Sequence, residues 1–320
     1  MQNNTTESMK ILQLDHNHPL IEEQLLALGC RIDNDFSSSY EEVCEKIHHY
    51  DGIIIRSRLP MDEHLMQEAK NLKFIARVGA GMENIDLEAA KKLDILPINS
   101  PEGNQDAVAE HVLGMLLCLS NRLIISSNEV KQNIWKREEN RGDELLGQCV
   151  GIIGYGHMGK ATAKRLKALG MEVVFYDIKP DLSDEYATQV SLANLQARAQ
   201  IVSLHVPLTP ETKGMIDDDF IQKMQHDFYV INTARGKNLC CSALVKGLKS
   251  GKIKAAALDV LEYEKASFES ISSQNNPDLA FLLNDPRVLI TPHIAGWTIQ
   301  SKHKLAQIIV DKIKLNFLKA

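Results

Sequence analysis

Short apolar runs alternate with amphipathic stretches along almost the whole chain. Residues 10–14, 52–56, 73–78 and 96–98 read as strands, and residues 19–28, 40–48, 61–69 and 87–92 read as the helices that connect them. The rhythm resumes around residue 150, with strands expected at 150–153, 172–176, 201–205, 228–232, 254–258 and 288–291, six in all. Strands separated by helices make parallel α/β sheets. Between the two series lies 106–120, apolar at Val108, Val112, Leu113, Leu116 and Leu117. A helix this apolar predicts burial between domains or between subunits. A last helix, 298–318, follows Pro292 and is expected to return to the first unit. The organisation predicted is therefore a discontinuous substrate-binding domain, 9–100 with 293–320, and a nucleotide domain, 101–292. Both are expected to be doubly wound parallel sheets, Rossmann-like or flavodoxin-like, with a cleft between them. The Ser-, Asn- and Gln-rich stretch 267–278 reads as a surface loop.

Within the second series, Val150 to Ile153 lead into Gly154-Tyr155-Gly156-His157-Met158-Gly159, then an amphipathic stretch from Lys160, then a strand ending at Asp177. Strand, glycine turn, helix, strand and acid form the dinucleotide-binding fingerprint. Gly154 permits the tight turn, Gly156 lets backbone approach a pyrophosphate, and Gly159 lets helix and strand pack closely. The helix start offers N–H groups and a positive dipole end to the anion. Asp177 is expected to accept from the adenosine ribose hydroxyls and to repel a 2′-phosphate, which favours NAD over NADP.

Composition narrows the field. With 320 residues, 44% hydrophobic and 24% charged, the chain suits two soluble domains with real cores. The net charge of −6 argues against nucleic-acid or membrane-surface partners. No apolar run approaches the ~20 residues of a membrane helix, and the polar tail 1–8 is no signal peptide. Six cysteines show no metal-type spacing, and Cys240 and Cys241 are adjacent, which points to a reduced, cytoplasmic protein.

Three residues follow predicted strands of the second domain: Arg235, Glu264 and His293. Ligands of open α/β sheets bind beyond the carboxyl ends of strands, so all three are expected in one crevice. Together they suffice to oxidise a 2-hydroxy acid. Arg235 offers a two-pronged cation to the carboxylate and the reacting oxygen. His293 is suited to take the hydroxyl proton, and Glu264 to orient the imidazole and stabilise its charged form. Taken singly, an arginine after a strand is ordinarily a surface charge and a histidine ordinarily a satisfied hydrogen-bonding residue. Asp15-His16-Asn17-His18 hints at a metal but offers no third ligand at sensible spacing, so no metal is expected. Asp217-Asp218-Asp219 reads as a helix N-cap with acids in the first turn. His48-His49 reads as a helix end, and Met115 and Met158 as packing residues.

The chain resembles the D-isomer-specific 2-hydroxyacid dehydrogenase family over nearly its full length. Carrying the resemblance are Gly79-Ala80-Gly81-Met82-Glu83-Asn84-Ile85-Asp86, Gly154 to Gly159, His205-Val206-Pro207-Leu208-Thr209, Asn232-Thr233-Ala234-Arg235-Gly236, Leu258-Asp259-Val260 and Pro292-His293-Ile294-Ala295-Gly296. It implies an Arg235/Glu264/His293 triad. It also implies an NAD site with contacts at His157, Met158, His205, Pro207, Thr233 and Ala234, and Asp259 on the nicotinamide carboxamide. Substrate carboxylate would meet backbone N–H groups around Val78, Gly79, Ala80 and Gly81, with Asn104 a further candidate. A homodimer joined through 106–120 is implied as well. Two departures stand out: Lys265 where the family often has Pro, and Trp297 where it often has small polar residues, the latter able to reshape the substrate pocket.

Four arginines, Arg56, Arg58, Arg77 and Arg137, bear on the substrate. Ile55-Arg56-Ser57, Ala76-Arg77-Val78-Gly79 and Trp135-Lys136-Arg137 resemble stretches of phosphoglycerate dehydrogenases, in which the first two supply arginines for the phosphate. Arg presents cations in a fork suited to phosphate. The alternative is an ion-pair network with Asp51, Glu83 or Glu139, and for Arg58 and Arg137 that is the preferred reading. The resemblance thus implies oxidation of 3-phospho-D-glycerate to 3-phosphohydroxypyruvate, the entry to serine synthesis. The chain ends directly after its last helix, so feedback through an extra C-terminal regulatory domain is not expected. The competing readings are reduction of hydroxypyruvate or glyoxylate and, in another class, an NAD-sensing protein without catalysis.

Overall fold

The computed structural model describes residues 8–264 and 276–318. The tail 1–7 and the greater part of the expected loop 267–278, with Lys265 before it, lie outside the described residues. The chain divides into two compact units, Met1–Asn104 with Thr298–Ala320, and Gln105–Trp297. The divisions fall after residues 104 and 297, a few positions beyond the expected 100 and 292.

The first unit holds β1 (Lys10–Gln13), α1 (Leu20–Ala27), β2 (Arg31–Asn34), α2 (Tyr40–Lys46), β3 (Gly52–Ile55), α3 (Glu63–Glu68), β4 (Phe74–Arg77), α4 (Leu87–Lys92) and β5 (Leu96–Ile98). Its five parallel strands run in the order β2-β1-β3-β4-β5. Alternate side chains of one strand face opposite layers. Leu12, Ile53, Ile55 and Ile75 pack with Val43, Leu65, Met66 and Ala89 of α2, α3 and α4. Ile11, Ile54, Phe74 and Ala76 pack with Ile21 and Leu25 of α1 and with Leu305, Ile309 and Ile313 near the end of the chain. Burial on both faces explains why these strands read as continuous apolar runs. The edge strand β2, Arg-Ile-Asp-Asn, has no buried residue, so its pattern carried no strand signal.

The second unit holds α5 (Gln105–Ser120), α6 (Leu123–Lys131), β6 (Cys149–Ile153), α7 (His157–Ala168), β7 (Glu172–Tyr176), β8 (Thr188–Gln189), α8 (Leu192–Arg198), β9 (Ile201–Leu204), α9 (Asp218–Lys223), β10 (Phe228–Asn232), α10 (Cys241–Ser250), β11 (Ile253–Leu258), α11 (Pro277–Asn284) and β12 (Val288–Ile290). Its sheet has seven parallel strands, not the expected six, in the order β12-β11-β10-β9-β6-β7-β8. The extra strand is the two-residue edge β8, too short to leave a pattern. One layer combines α8, α9, α10 and α11 through Leu195, Phe220, Leu244 and Leu279. The other is formed by α5 and α7 through Val108, Val112, Leu116, Ala163 and Leu166. Through these residues α5 packs inside its own unit, against this sheet. Asp217 caps α9 by accepting from the Phe220 N–H, as its acidic run predicts.

The chain closes with α12 (Ile299–Phe317), capped by Thr298, which packs on α1 and the 101–103 turn of the first unit. Phe317 meets Phe74 with ring centroids 4.9 Å apart, and Phe74 is wholly buried. No single helix among the described residues is long and apolar enough to cross a membrane. Phe74→Ala removes a fully enclosed ring that joins β4 to α12. The expected cost is about 3–5 kcal/mol, measured by denaturant or thermal unfolding; a loss below 1 kcal/mol would show that the α12 contact does not support this sheet.

Candidate active site

Strands β10, β11 and β12 are neighbours and run parallel, with Asn232 in register with Leu258 and Leu258 with Ile290. Their carboxyl ends therefore lie side by side, about 4.8 Å between strands. Arg235, Glu264 and His293 leave the sheet at this end. Buried Asn232 shapes the first turn, accepting from the Ala234 N–H at 3.0 Å and donating to the Arg235 carbonyl at 3.0 Å. The Arg235 guanidinium donates to the Ala234 carbonyl at 2.6 Å. The next residue must be glycine: a Cβ on Gly236 would lie 1.9 Å from the Leu261 carbonyl oxygen. That contact brings the Arg235 turn against the segment that carries Glu264.

Glu264 and His293 meet directly. Glu264 Oε2 lies 2.9 Å from His293 Nδ1, and Oε1 accepts from the Leu261 N–H. An ionised carboxylate only accepts, so Nδ1 carries the proton and proton exchange with a substrate falls to Nε2. His293 itself sits at φ +56°, the left-handed region that costs a non-glycine residue roughly 1–2 kcal/mol. Asp259 offsets that cost. Its carboxylate, 1% exposed, accepts from the Ile294 N–H at 2.8 Å, the Ala295 N–H at 2.8 Å and the Thr291 hydroxyl, while its carbonyl accepts from the His293 N–H at 2.8 Å. Hydrogen bonds to a charged group are worth about 1.5–3 kcal/mol each, so the clamp outweighs the strain. The expected carboxamide role of Asp259 therefore leaves about one of its roughly four acceptor positions for a cofactor. Trp297 is half exposed, and its backbone N–H donates to the Ile294 carbonyl at 2.8 Å.

The glycine turn is built to take an anion. Gly154 has φ +92°, and a Cβ on Gly159 would lie 2.0 Å from the Gly154 carbonyl oxygen, so helix and turn touch through backbone. A Cβ on Gly156 would meet nothing within 4 Å, which leaves an open cradle at the start of α7, where no side chain caps the helix. His157 is exposed, and Met158 packs partly against the core. Asp177 stands at the end of β7, accepting from the Tyr155 N–H at 2.7 Å and the Lys179 N–H at 2.9 Å. Tyr155 is buried, stacks on Phe175 with centroids 3.7 Å apart and donates to Asp184 at 2.8 Å. Two buried polar atoms beyond the strand ends, His205 Nδ1 and Thr233 Oγ1, have no hydrogen-bond partner among the described residues. Burial pushes the His205 imidazole down to about 4, so it is neutral at physiological pH. The Pro207 carbonyl accepts from the Thr212 hydroxyl at 2.6 Å and helps to fix this loop. An open backbone cradle, an acid at the second strand end and orphaned polar atoms together fit a dinucleotide, which Gly156, Asp177, His205 and Thr233 would hold.

In the first unit, Arg56 and Arg77 stand at the carboxyl ends of β3 and β4, and Arg77 Nε donates to the Arg56 carbonyl at 3.2 Å. Burial weighs against the Arg56 charge, and Asp15 counters it. The Arg77 guanidinium lies over Gly79, where a Cβ would sit 1.8 Å from its nitrogen, so it borders the Val78–Gly79–Ala80–Gly81 backbone. Asn104 Oδ1 is buried without a partner among the described residues. Arg58 is structural, but not through acids: it donates to the carbonyls of Leu14, Ser38 and Asp35 at 2.6, 2.5 and 3.0 Å. Arg137 belongs to the second unit rather than with the other three, and it is exposed. Asp15 accepts from the Arg56 N–H at 2.6 Å, which gives the Asp15–His18 loop a structural task. His48 and His49 end a short 3-10 turn.

A doubly wound nucleotide domain whose strand ends present an arginine and a histidine–glutamate pair defines a class, the dinucleotide-dependent dehydrogenases. Residues 113–295 match the family model for the D-isomer specific 2-hydroxyacid dehydrogenase NAD binding domain. The chain is 36% identical over 313 residues to D-3-phosphoglycerate dehydrogenase of Archaeoglobus fulgidus, a match covering 95% of this chain and 56% of that protein. It is 34% identical over 303 residues to hydroxypyruvate reductase of Thermotoga maritima, covering 93% and 95%. Among solved structures, the NAD-complexed D-isomer specific 2-hydroxyacid dehydrogenase of Lactobacillus delbrueckii ssp. bulgaricus superposes with a TM-score of 0.81 at 26% identity, covering 96% and 97%. The chain belongs to the D-isomer-specific 2-hydroxyacid dehydrogenase family, and its second unit is the NAD-binding domain. It spans about half the length of the curated phosphoglycerate dehydrogenases it matches.

Asp177→Ala is expected to weaken NAD and relieve the repulsion of a 2′-phosphate. The NAD-to-NADP preference should fall by about 10- to 100-fold, the worth of hydrogen bonds to a charged group. Fluorescence titration with NADH and NADPH measures it, and an unchanged ratio would remove Asp177 from cofactor choice.

Proposed function

We propose that this protein is an NAD-dependent D-2-hydroxyacid dehydrogenase that oxidises 3-phospho-D-glycerate to 3-phosphohydroxypyruvate at the entry to serine synthesis. The observation that carries the dehydrogenase reading is the 2.9 Å His293–Glu264 contact on the turn next to that of Arg235. Arg235 binds the substrate carboxylate and reacting oxygen in a two-pronged contact. His293 Nε2 takes the hydroxyl proton as C2 is oxidised, and Glu264 keeps the resulting imidazolium oriented and stabilised through Nδ1. In reduction the same Nε2–H protonates the oxygen. Bound NAD supplies the hydride acceptor. A protein that only senses NAD has no need of this pair.

Arg56 and Arg77 support a phosphorylated substrate, and so does the identity to phosphoglycerate dehydrogenases. The second reading is reduction of hydroxypyruvate or glyoxylate, favoured by the Thermotoga relative, which matches this chain over nearly the whole of both proteins. A homodimer is part of the proposal. Leu123, Ile124, Val130, Trp135 and Leu146 stand exposed along and after α6, directly beyond the helix expected to join subunits. A reducing, cytoplasmic setting rests on six free thiols.

NADH absorbance assays with 3-phosphoglycerate, glycerate, lactate, hydroxypyruvate and glyoxylate test the assignment. We expect the phosphorylated acid to give the highest kcat/KM, and Arg77→Ala to raise its KM by about 10- to 100-fold with a much smaller effect on the unphosphorylated acids. Equal losses for both kinds of substrate, or none, would contradict the phosphate role. Turnover of hydroxypyruvate alone would select the second reading, and no turnover of any acid would leave only NAD sensing.

A further inference from the structure

On α5 the chain carries a histidine that the reaction above does not use. His111, part-buried, places Nε2 3.1 Å from the Thr291 hydroxyl and 3.7 Å from Asp259 Oδ1. Thr291 in turn hydrogen-bonds Asp259 Oδ1, which accepts from the Ile294 N–H, while Oδ2 accepts from the Ala295 N–H. A hydroxyl has one proton to donate. If it went to His111, an oxygen lone pair would be pressed against a buried carboxylate oxygen, and the Nε2 lone pair would face the same anion. Both clashes vanish when Thr291 donates to Asp259 and His111 donates to Thr291. The arrangement therefore fixes the tautomer of His111, with its proton on Nε2.

We infer that His111 is a positioning residue for the reaction. The donor chain His111 Nε2–H to Thr291 Oγ1–H to Asp259 runs from α5 to the carboxylate that holds the turn around His293. Each bond in such a chain polarises the next in a low-dielectric setting. Asp259 then holds the Ile294 and Ala295 N–H groups, which keep His293 at its left-handed φ of +56° and its imidazole against Glu264. His111 touches neither substrate nor cofactor in this assignment, and it acts through the turn. Without it, Thr291 loses the donor that orients its hydroxyl, and the turn is tied less firmly to α5.

This inference rests on the reading of His293 as the acid–base group, and its test separates the two. Ring 15N shifts of the unmodified protein at neutral pH should show His111 protonated at Nε2, a result that needs no turnover; a deprotonated Nε2 would overturn the proposal. The His293 ring resonances should move in His111→Phe and return toward their original positions in His111→Gln, whose amide also donates. Unmoved His293 signals would likewise overturn it, even in a protein that turns over no substrate. In the active enzyme, His111→Phe should lower kcat by about tenfold with NADH affinity within twofold of the original, and His111→Gln should recover most of the loss. Thr291→Val should cost a similar factor, and the double variant His111→Phe/Thr291→Val little more than either alone. Losses that multiply in the double variant, or an unchanged kcat in His111→Phe, would contradict the relay.

Discussion

The buried carboxylate of Asp259 is the constraint on which the active site depends. It sits directly after β11 and reaches sideways to the turn that follows β12, accepting from Thr291, Ile294 and Ala295. Between those residues stands His293, in a backbone conformation that an isolated histidine would leave. The clamp makes that conformation affordable, and from it the imidazole meets Glu264 at 2.9 Å. Remove the anion, and a strained turn, a misdirected base and a glutamate without its histidine follow together. The proposed acid–base machinery is thus a property of the β11–β12 pair and not of three independent side chains.

The glycine turn follows the same logic at the β6 end of the sheet. Backbone contact between Gly154 and Gly159 fixes the approach of α7, while the open position at Gly156 leaves its N-terminus bare. The Tyr155 N–H holds Asp177, so the acid proposed to select the cofactor is oriented by the very turn that would receive the pyrophosphate. Tyr155 in turn is locked by stacking on Phe175 and by its bond to Asp184. Rigid backbone and buried side chains thus arrange both ends of this site.

Much of this was legible in the sequence because it has a local signature. Runs such as Gly52–Ile55 and Phe228–Asn232 are apolar since both faces of a parallel sheet are covered, and the glycine fingerprint is confined to a few consecutive residues. The rest has no local signature. Strands β2 and β8 lie at sheet edges, one without a buried residue and the other two residues long. Val108, Val112 and Leu116 of α5 pack on its own sheet, and periodicity alone does not say which surface a buried helix face meets. Arg58 reads as a charge, yet it ties three backbone carbonyls from distant segments. Asp259, His111 and Thr291 are separated by up to 180 residues in the chain, so only the fold reveals them as one network.

The central claim is that His293, held by Asp259 and Glu264, moves the proton in the oxidation of a 2-hydroxy acid. Its most direct test is His293→Ala, followed by kcat in the NADH assay and by NADH affinity in a fluorescence titration. Loss of a general acid–base group should cut kcat by about 10²–10⁴ while NADH binds as before. Turnover that survives the substitution would contradict the account.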